Sequence, residues 1–130
     1  MSKIIMEFEK GGVFEVCLYE DVAPKTCKAF MEKLPYEADA LQARFAGEEF
    51  FYKMPLEVGA ENQKHPVAGS IAYNADRNWQ AICIYYGPKI KAANPFNLIG
   101  ELKGDLKELQ KIGERIWKEG KETVKIKAAD

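Results

Sequence analysis

Short runs of alternating apolar and polar residues, each closed off by a turn, recur along this chain, and a period of two commits most of it to β-strands. Ile4, Met6 and Phe8 alternate with Glu7 and Glu9, and Phe14, Val16 and Leu18 alternate with Glu15. Gly11-Gly12 between them supplies the positive φ of a tight turn, so an opening hairpin is predicted. A second hairpin is predicted from Leu41, Ala43 and Phe45, alternating with Gln42 and Arg44, through Ala46-Gly47 to the aromatic run Phe50-Phe51-Tyr52 that ends at Pro55. Residues 69 to 73 and 81 to 86 read as two further strands around a polar turn holding Asn74, Asp76, Arg77 and Asn78, with Gly87-Pro88 ending the second. A strand over residues 96 to 102 and the alternation of Val124 and Ile126 with Lys125 and Lys127 bring the number to eight.

Two stretches carry helical spacing instead. Pro24 suits a first helical turn, and Cys27, Phe30, Met31 and Leu34 recur at three- and four-residue intervals before Pro35, which predicts a helix over residues 24 to 34. Leu106, Leu109, Ile112 and Ile116 do the same ahead of Gly120. Residues 56 to 68 show neither period and are expected to form a long loop. Eight short strands with two helices suit a sheet closed on itself, which removes exposed edges. The expected fold is mainly β, a closed eight-stranded barrel with two capping helices and one domain spanning residues 1–130.

At 47% hydrophobic and 30% charged residues, the chain is neither polar enough for disorder nor apolar enough for a membrane protein. A net charge of −1 provides no field to gather nucleic acid or an anionic membrane, and neither is expected as a partner. The lone His65 excludes every scheme that needs two histidines, so no metal and no cofactor is expected. Cys17, Cys27 and Cys83 are odd in number and lack CxxC spacing, and the first residues from Met1 lack an apolar signal core. Both features point to buried thiols in a reducing cytoplasm.

Three stretches resemble cyclophilins. Leu18 to Thr26, read Leu-Tyr-Glu-Asp-Val-Ala-Pro-Lys-Thr and followed by Phe30, resembles the strand that passes through a proline-lysine-threonine turn into the first helix. Gly69 to Ala75, leading to Gln80 and the strand Ile82-Cys83-Ile84, resembles the segment in which a glutamine precedes a cysteine-bearing strand. Residues 96 to 102 resemble the late strand before the second helix. The short chain, its Pro24-Lys25-Thr26-Cys27 turn and Arg44-Phe45-Ala46-Gly47-Glu48 are more similar still to compact prokaryotic cyclophilin-like proteins of unassigned function. The resemblance implies the barrel, and a groove on its outer face that takes proline-containing peptide.

The isomerase chemistry is where this chain departs from that family. Rotation about an X-Pro bond faces a barrier of about 20 kcal/mol because the nitrogen lone pair is delocalised into the carbonyl. Cyclophilins lower it with an arginine that donates to the amide nitrogen. Counting back from Pro55, the arginine's place holds Tyr52, and Lys53 is expected on the opposite face of the strand. The tryptophan-bearing loop of the family is replaced by Lys89 to Pro95. The expected ligand site is therefore Tyr52, Tyr73, Asn74, Gln80 and Phe96, with Arg44 as a cation for an anionic group and Trp79 beside Gln80. A binding domain for a small molecule or short peptide, monomeric or weakly self-associating, is favoured over an enzyme. The alternative is a prolyl isomerase using Arg44 or Lys53.

Overall fold

The computed structural model describes residues 2–91 and 94–129; Ala92 and Ala93, within the stretch that stands in for the tryptophan-bearing loop, lie outside it. The opening hairpin is β1 (Lys3–Phe8) and β2 (Val13–Leu18), registered with Ile4 opposite Val16 and Met6 opposite Phe14. Helix α1 (Pro24–Glu32) follows, then β3 (Tyr36–Gln42), a 3-10 turn at Arg44–Ala46, and β4 (Gly47–Lys53). A two-residue β5 (Gln63–Lys64) interrupts the long loop. Then come β6 (Ser70–Asn74), β7 (Ala81–Ile90), β8 (Phe96–Leu102), α2 (Leu106–Glu119) and β9 (Glu122–Ala129). The strands neighbour one another in the order β2, β1, β9, β3, β4, β7, β6, β8, and a β2–β8 pairing closes the ring. The result is the expected eight-stranded antiparallel barrel with two helices; β5 is a short addition paired with the start of β8.

Helix α1 ends at Glu32, two residues short of expectation, and two strand boundaries differ more. The first strand of the second hairpin is Tyr36–Gln42, not 41 to 45, because Ala38 and Ala40 are its inward residues and give a weak hydrophobic signal. Arg44 and Phe45 consequently leave from a tight turn, not a strand. That turn ends at Gly47, whose φ of 103° and whose contact with the Lys89 carbonyl leave no room for a Cβ. Strand β7 also runs through Gly87-Pro88 to Ile90. Those two residues fall in a wide bulge, where pairing jumps from Glu49 opposite Tyr85 to Gly47 opposite Ile90, and a bulge tolerates a residue without an N–H.

The interior is filled by one parity of each strand. Phe50 and Tyr52 of β4, Ile71 and Tyr73 of β6, and Ile82, Ile84 and Tyr86 of β7 join Ile4, Met6 and Phe8 in a single core. Phe8 meets Phe14 and Phe50 edge-on at ring separations of 5.8 Å. The helices bury their apolar faces in the same core, α1 through Cys27 and Phe30 and α2 through Leu109, Ile112 and Ile116. Gly113 lies flat on the Tyr86 ring. Neither helix is long and apolar enough to cross a membrane.

The long loop is fastened at two points. Glu61 accepts from the Lys25 and Thr26 backbone N–H groups and from Thr26 Oγ1, satisfying the first turn of α1, whose own cap residue Ala23 has no side-chain acceptor. Buried Asn97 accepts from the Glu61 N–H and from Gln63 Nε2 and donates to Thr26 Oγ1 and the Gly59 carbonyl.

Candidate functional site

Residues of the other parity face out of the barrel; on β7 and β8 they are largely apolar, and β4 sets Phe51 between Glu49 and Lys53. Ala72, Cys83 and Tyr85 form a second buried cluster, flanked by Phe51, Phe96 and Leu98. Above it lies an open cavity of about 260 Å³. Its floor is Glu49 and Phe51 of β4 with Ala81 and Cys83 of β7. The 3-10 turn contributes Phe45, the turn before β7 contributes Trp79, and Asn74, Lys91, Asn94 and Phe96 complete the rim.

Trp79 and Phe45 are 48% and 77% exposed, which for large aromatics leaves considerable apolar surface in water. Trp79 is held by Lys53, whose Nζ donates to the Trp79 carbonyl at 3.0 Å and lies 5.1 Å from the ring centroid. The turn that carries Trp79 is built from Asx bonds: Asn74 Oδ1 accepts from the Asp76 N–H and Asp76 Oδ1 from the Asn78 N–H.

Glu49 is the acid of this cavity. Its residue is only 5% exposed, and none of the ion pairs among the described residues involves it. Desolvation holds its carboxyl well above the ordinary carboxylate range, at about 7, against the weaker opposing influence of the Cys83 thiol and Tyr85 hydroxyl nearby. The Tyr85 hydroxyl is sealed from solvent, lies near Glu49, and has no partner in hydrogen-bonding geometry. Burial likewise raises the Cys83 thiol, which is therefore protonated and poorly nucleophilic at neutral pH. The site thus offers aromatic area, one buried carboxyl that ionises near neutrality, and polar groups at its edge.

Of the residues expected from sequence, Asn74 and Phe96 stand on the cavity wall, with Trp79 beside them. Tyr52 does not: it points into the barrel, fully buried, its hydroxyl 3.8 Å from Met6 Sδ. Tyr73 is also interior, donating to Gln80 Oε1 and accepting from the Leu56 N–H. Gln80 is a brace, since its Oε1 also accepts from the Glu57 N–H. Arg44 turns toward α2, where its guanidinium lies 5.2 Å from the Trp117 ring centroid, 3.2 Å from the Tyr86 hydroxyl and 3.8 Å from Glu114. Counting from Pro55 put the groove on the wrong parity of β4; the outward residues are Glu49, Phe51 and Lys53. A signal was present, because the charged residues at 49 and 53 share a parity that a barrel interior rejects. All three cysteines are free and buried, as expected, but Cys83 is at the cavity floor.

The sequence profile of the family described as Cyclophilin-like matches residues 2–119. The chain belongs to the cyclophilin-like family. Among solved structures, a hypothetical protein from Archaeoglobus fulgidus is 26% identical, with a TM-score of 0.68 over 98% of this chain and 95% of that one. A Cryptosporidium parvum cyclophilin-type peptidyl-prolyl cis-trans isomerase, solved in the presence of the dipeptide Ala-Pro, shares 14% identity and a TM-score of 0.69, covering 98% of this chain and 99% of that one. McbB, in complex with tryptophan, gives a TM-score of 0.73 at 18% identity over 95% of this chain, which spans only 44% of McbB. At such identities the isomerase and McbB share the fold alone. No curated protein sequence matches. Among the described residues, this cyclophilin-like barrel places no arginine on the cavity wall.

Proposed function

We propose that this cyclophilin-like domain binds a small molecule or short peptide in the groove above Glu49 and Cys83. One observation carries the reading: Glu49, a residue only 5% exposed and without a salt bridge among the described residues, forms part of the floor of an open, aromatic-lined cavity. A buried acid left unpaired costs stability, and a ligand donor is what such a group lacks. Proteins that share the fold have been solved with both kinds of molecule, McbB in complex with tryptophan and the Cryptosporidium parvum enzyme in the presence of the dipeptide Ala-Pro. The test is a titration of the ¹⁵N-labelled chain with Ala-Pro and with small aromatic compounds. Saturable shifts of the Phe51, Cys83 and Phe96 amides are expected; an inert panel sinks the reading.

Lys53 supports a second reading, weak prolyl isomerase activity, because it is the outward cation of β4 and sits against Trp79 at the groove. Arg44 offers no such support, being held at α2. Exchange measurements on a proline test peptide decide the matter: acceleration that Lys53→Met removes favours the enzyme, and no acceleration at micromolar protein rejects it.

A further inference from the structure

Resting on the groove as a binding site, we propose that its ligand is a small aromatic amine, the protonated nitrogen paired with Glu49 and the ring held among Phe45, Phe51, Trp79 and Phe96. Three features of the cavity converge on that chemistry.

The first is the sign of the buried group. Glu49 lies at the floor without a salt bridge, so a ligand carboxylate there would set like charges together in a poorly solvated site, whereas an ammonium supplies the missing counter-charge and up to three donors. The Tyr85 hydroxyl lies close to the same carboxyl, the two residues being Cα partners across the ladder, but it is neutral and sealed from solvent and leaves the counter-charge unsupplied.

The second is the wall. Four aromatic rings surround the cavity, and the negative faces of such rings favour a cation as well as a flat apolar body. Lys53 over Trp79 already shows one of these rings accepting an ammonium. The third is size. A cavity of about 260 Å³ lies below the roughly 300–1,000 Å³ of drug-sized pockets, which suits a single ring with a short chain. Lys91 at the rim is compatible with a carboxylate on the ligand's outer end, so free aromatic amino acids belong to the same class as simple amines.

The experiment uses the full ¹⁵N-labelled chain and four single-ring probes at about pH 8: 2-phenylethylamine, phenylalanine, 2-phenylethanol and 3-phenylpropanoate. The expected result is that the amine binds about tenfold tighter than the alcohol or the acid, and that Glu49→Gln removes the preference, bringing amine and alcohol to similar affinities. Phenylalanine binding alongside the amine extends the class to amino acids, and its failure restricts the class to simple amines; either supports the pairing with Glu49. Amine affinity also rises about tenfold between about pH 6 and about pH 8, as Glu49 ionises. The groups facing Glu49 in that range are Cys83 and Tyr85 from β7, both kept protonated by burial, with Lys91 at the rim; the 3-10 turn and β6 present Phe45 and Asn74, which do not titrate. If the alcohol or the acid binds as tightly as the amine, or the preference survives Glu49→Gln, the amine assignment falls and the groove remains a binding site. If none of the probes and no dipeptide moves the amides around Glu49 and Cys83, both fall.

Discussion

Glu49 and Tyr85 are Cα partners across the β4–β7 ladder, and both belong to the outward parity of the barrel. A carboxyl buried there, beside a hydroxyl with no partner, makes folding depend on pH. Below about 4.5 the carboxyl is protonated in the folded and unfolded chains alike; between there and about 7 the unfolded chain releases the proton while the folded chain keeps it. Stability therefore falls as pH rises through that window and levels off above it, by at most about 3 kcal/mol. Urea midpoints at about pH 5 and about pH 8 check this, with Glu49→Gln expected to flatten the Glu49 share of the difference.

Glu122 is a different kind of buried acid, because it is paired. Its side chain is inaccessible and accepts from Arg115 Nε at 2.8 Å, from Arg115 Nη2 at 2.6 Å and from the Lys10 N–H. Arg115→Ala strands that charge and is expected to cost roughly 3 kcal/mol in chemical denaturation. Adding Glu122→Gln returns part of the loss, since no charge then remains without a counter-ion.

Gly113→Ala separates helix propensity from packing. In an open helix the change stabilises by up to about 1 kcal/mol, but here a Cβ meets the Tyr86 ring at 2.5 Å. A net loss of about 1–3 kcal/mol is expected, read as a lower thermal midpoint. A higher midpoint would mean that the ring moves aside.

Asn97→Ala releases the long loop. Four hydrogen bonds to Thr26, Gly59, Glu61 and Gln63 disappear together. Limited proteolysis is expected to cut within residues 57 to 68 at least about tenfold faster than in the parent chain, reflecting about 1.4 kcal/mol or more of lost local stability.

Arg44→Ala and Trp79→Ala divide the two ends of the 3-10 turn's neighbourhood. Arg44 spends its contacts on Trp117, Tyr86 and Glu114, so its loss leaves binding of an aromatic probe unchanged. Trp79 lines the groove, and its loss weakens the same probe by about tenfold in calorimetry.

The barrel was legible because period two and period 3.6 are both strong in this chain, and because the Pro24-Lys25-Thr26 turn and the Gln80 to Ile84 segment sit where cyclophilins have them. The groove was half legible. Asn74 and Phe96 came from positions that match the family, but Phe50-Phe51-Tyr52 is aromatic at both parities and does not say which ring looks inward. The partner of β4 decides that, through Glu49 opposite Tyr85 and Phe51 opposite Cys83, and such pairing is tertiary information. Arg44 was misplaced for a similar reason: alternation assumed a strand where Gly47 forces a turn.

Because the outward residues 49, 51, 81 and 83 form the groove floor while 50, 52, 82 and 84 fill the barrel, neighbouring letters of the same two strands answer to different demands. A change of ligand can be written into the first set without rewriting the second. That separation gives a practical handle: libraries confined to the outward letters of β4 and β7 would search new specificities on a scaffold whose interior stays untouched.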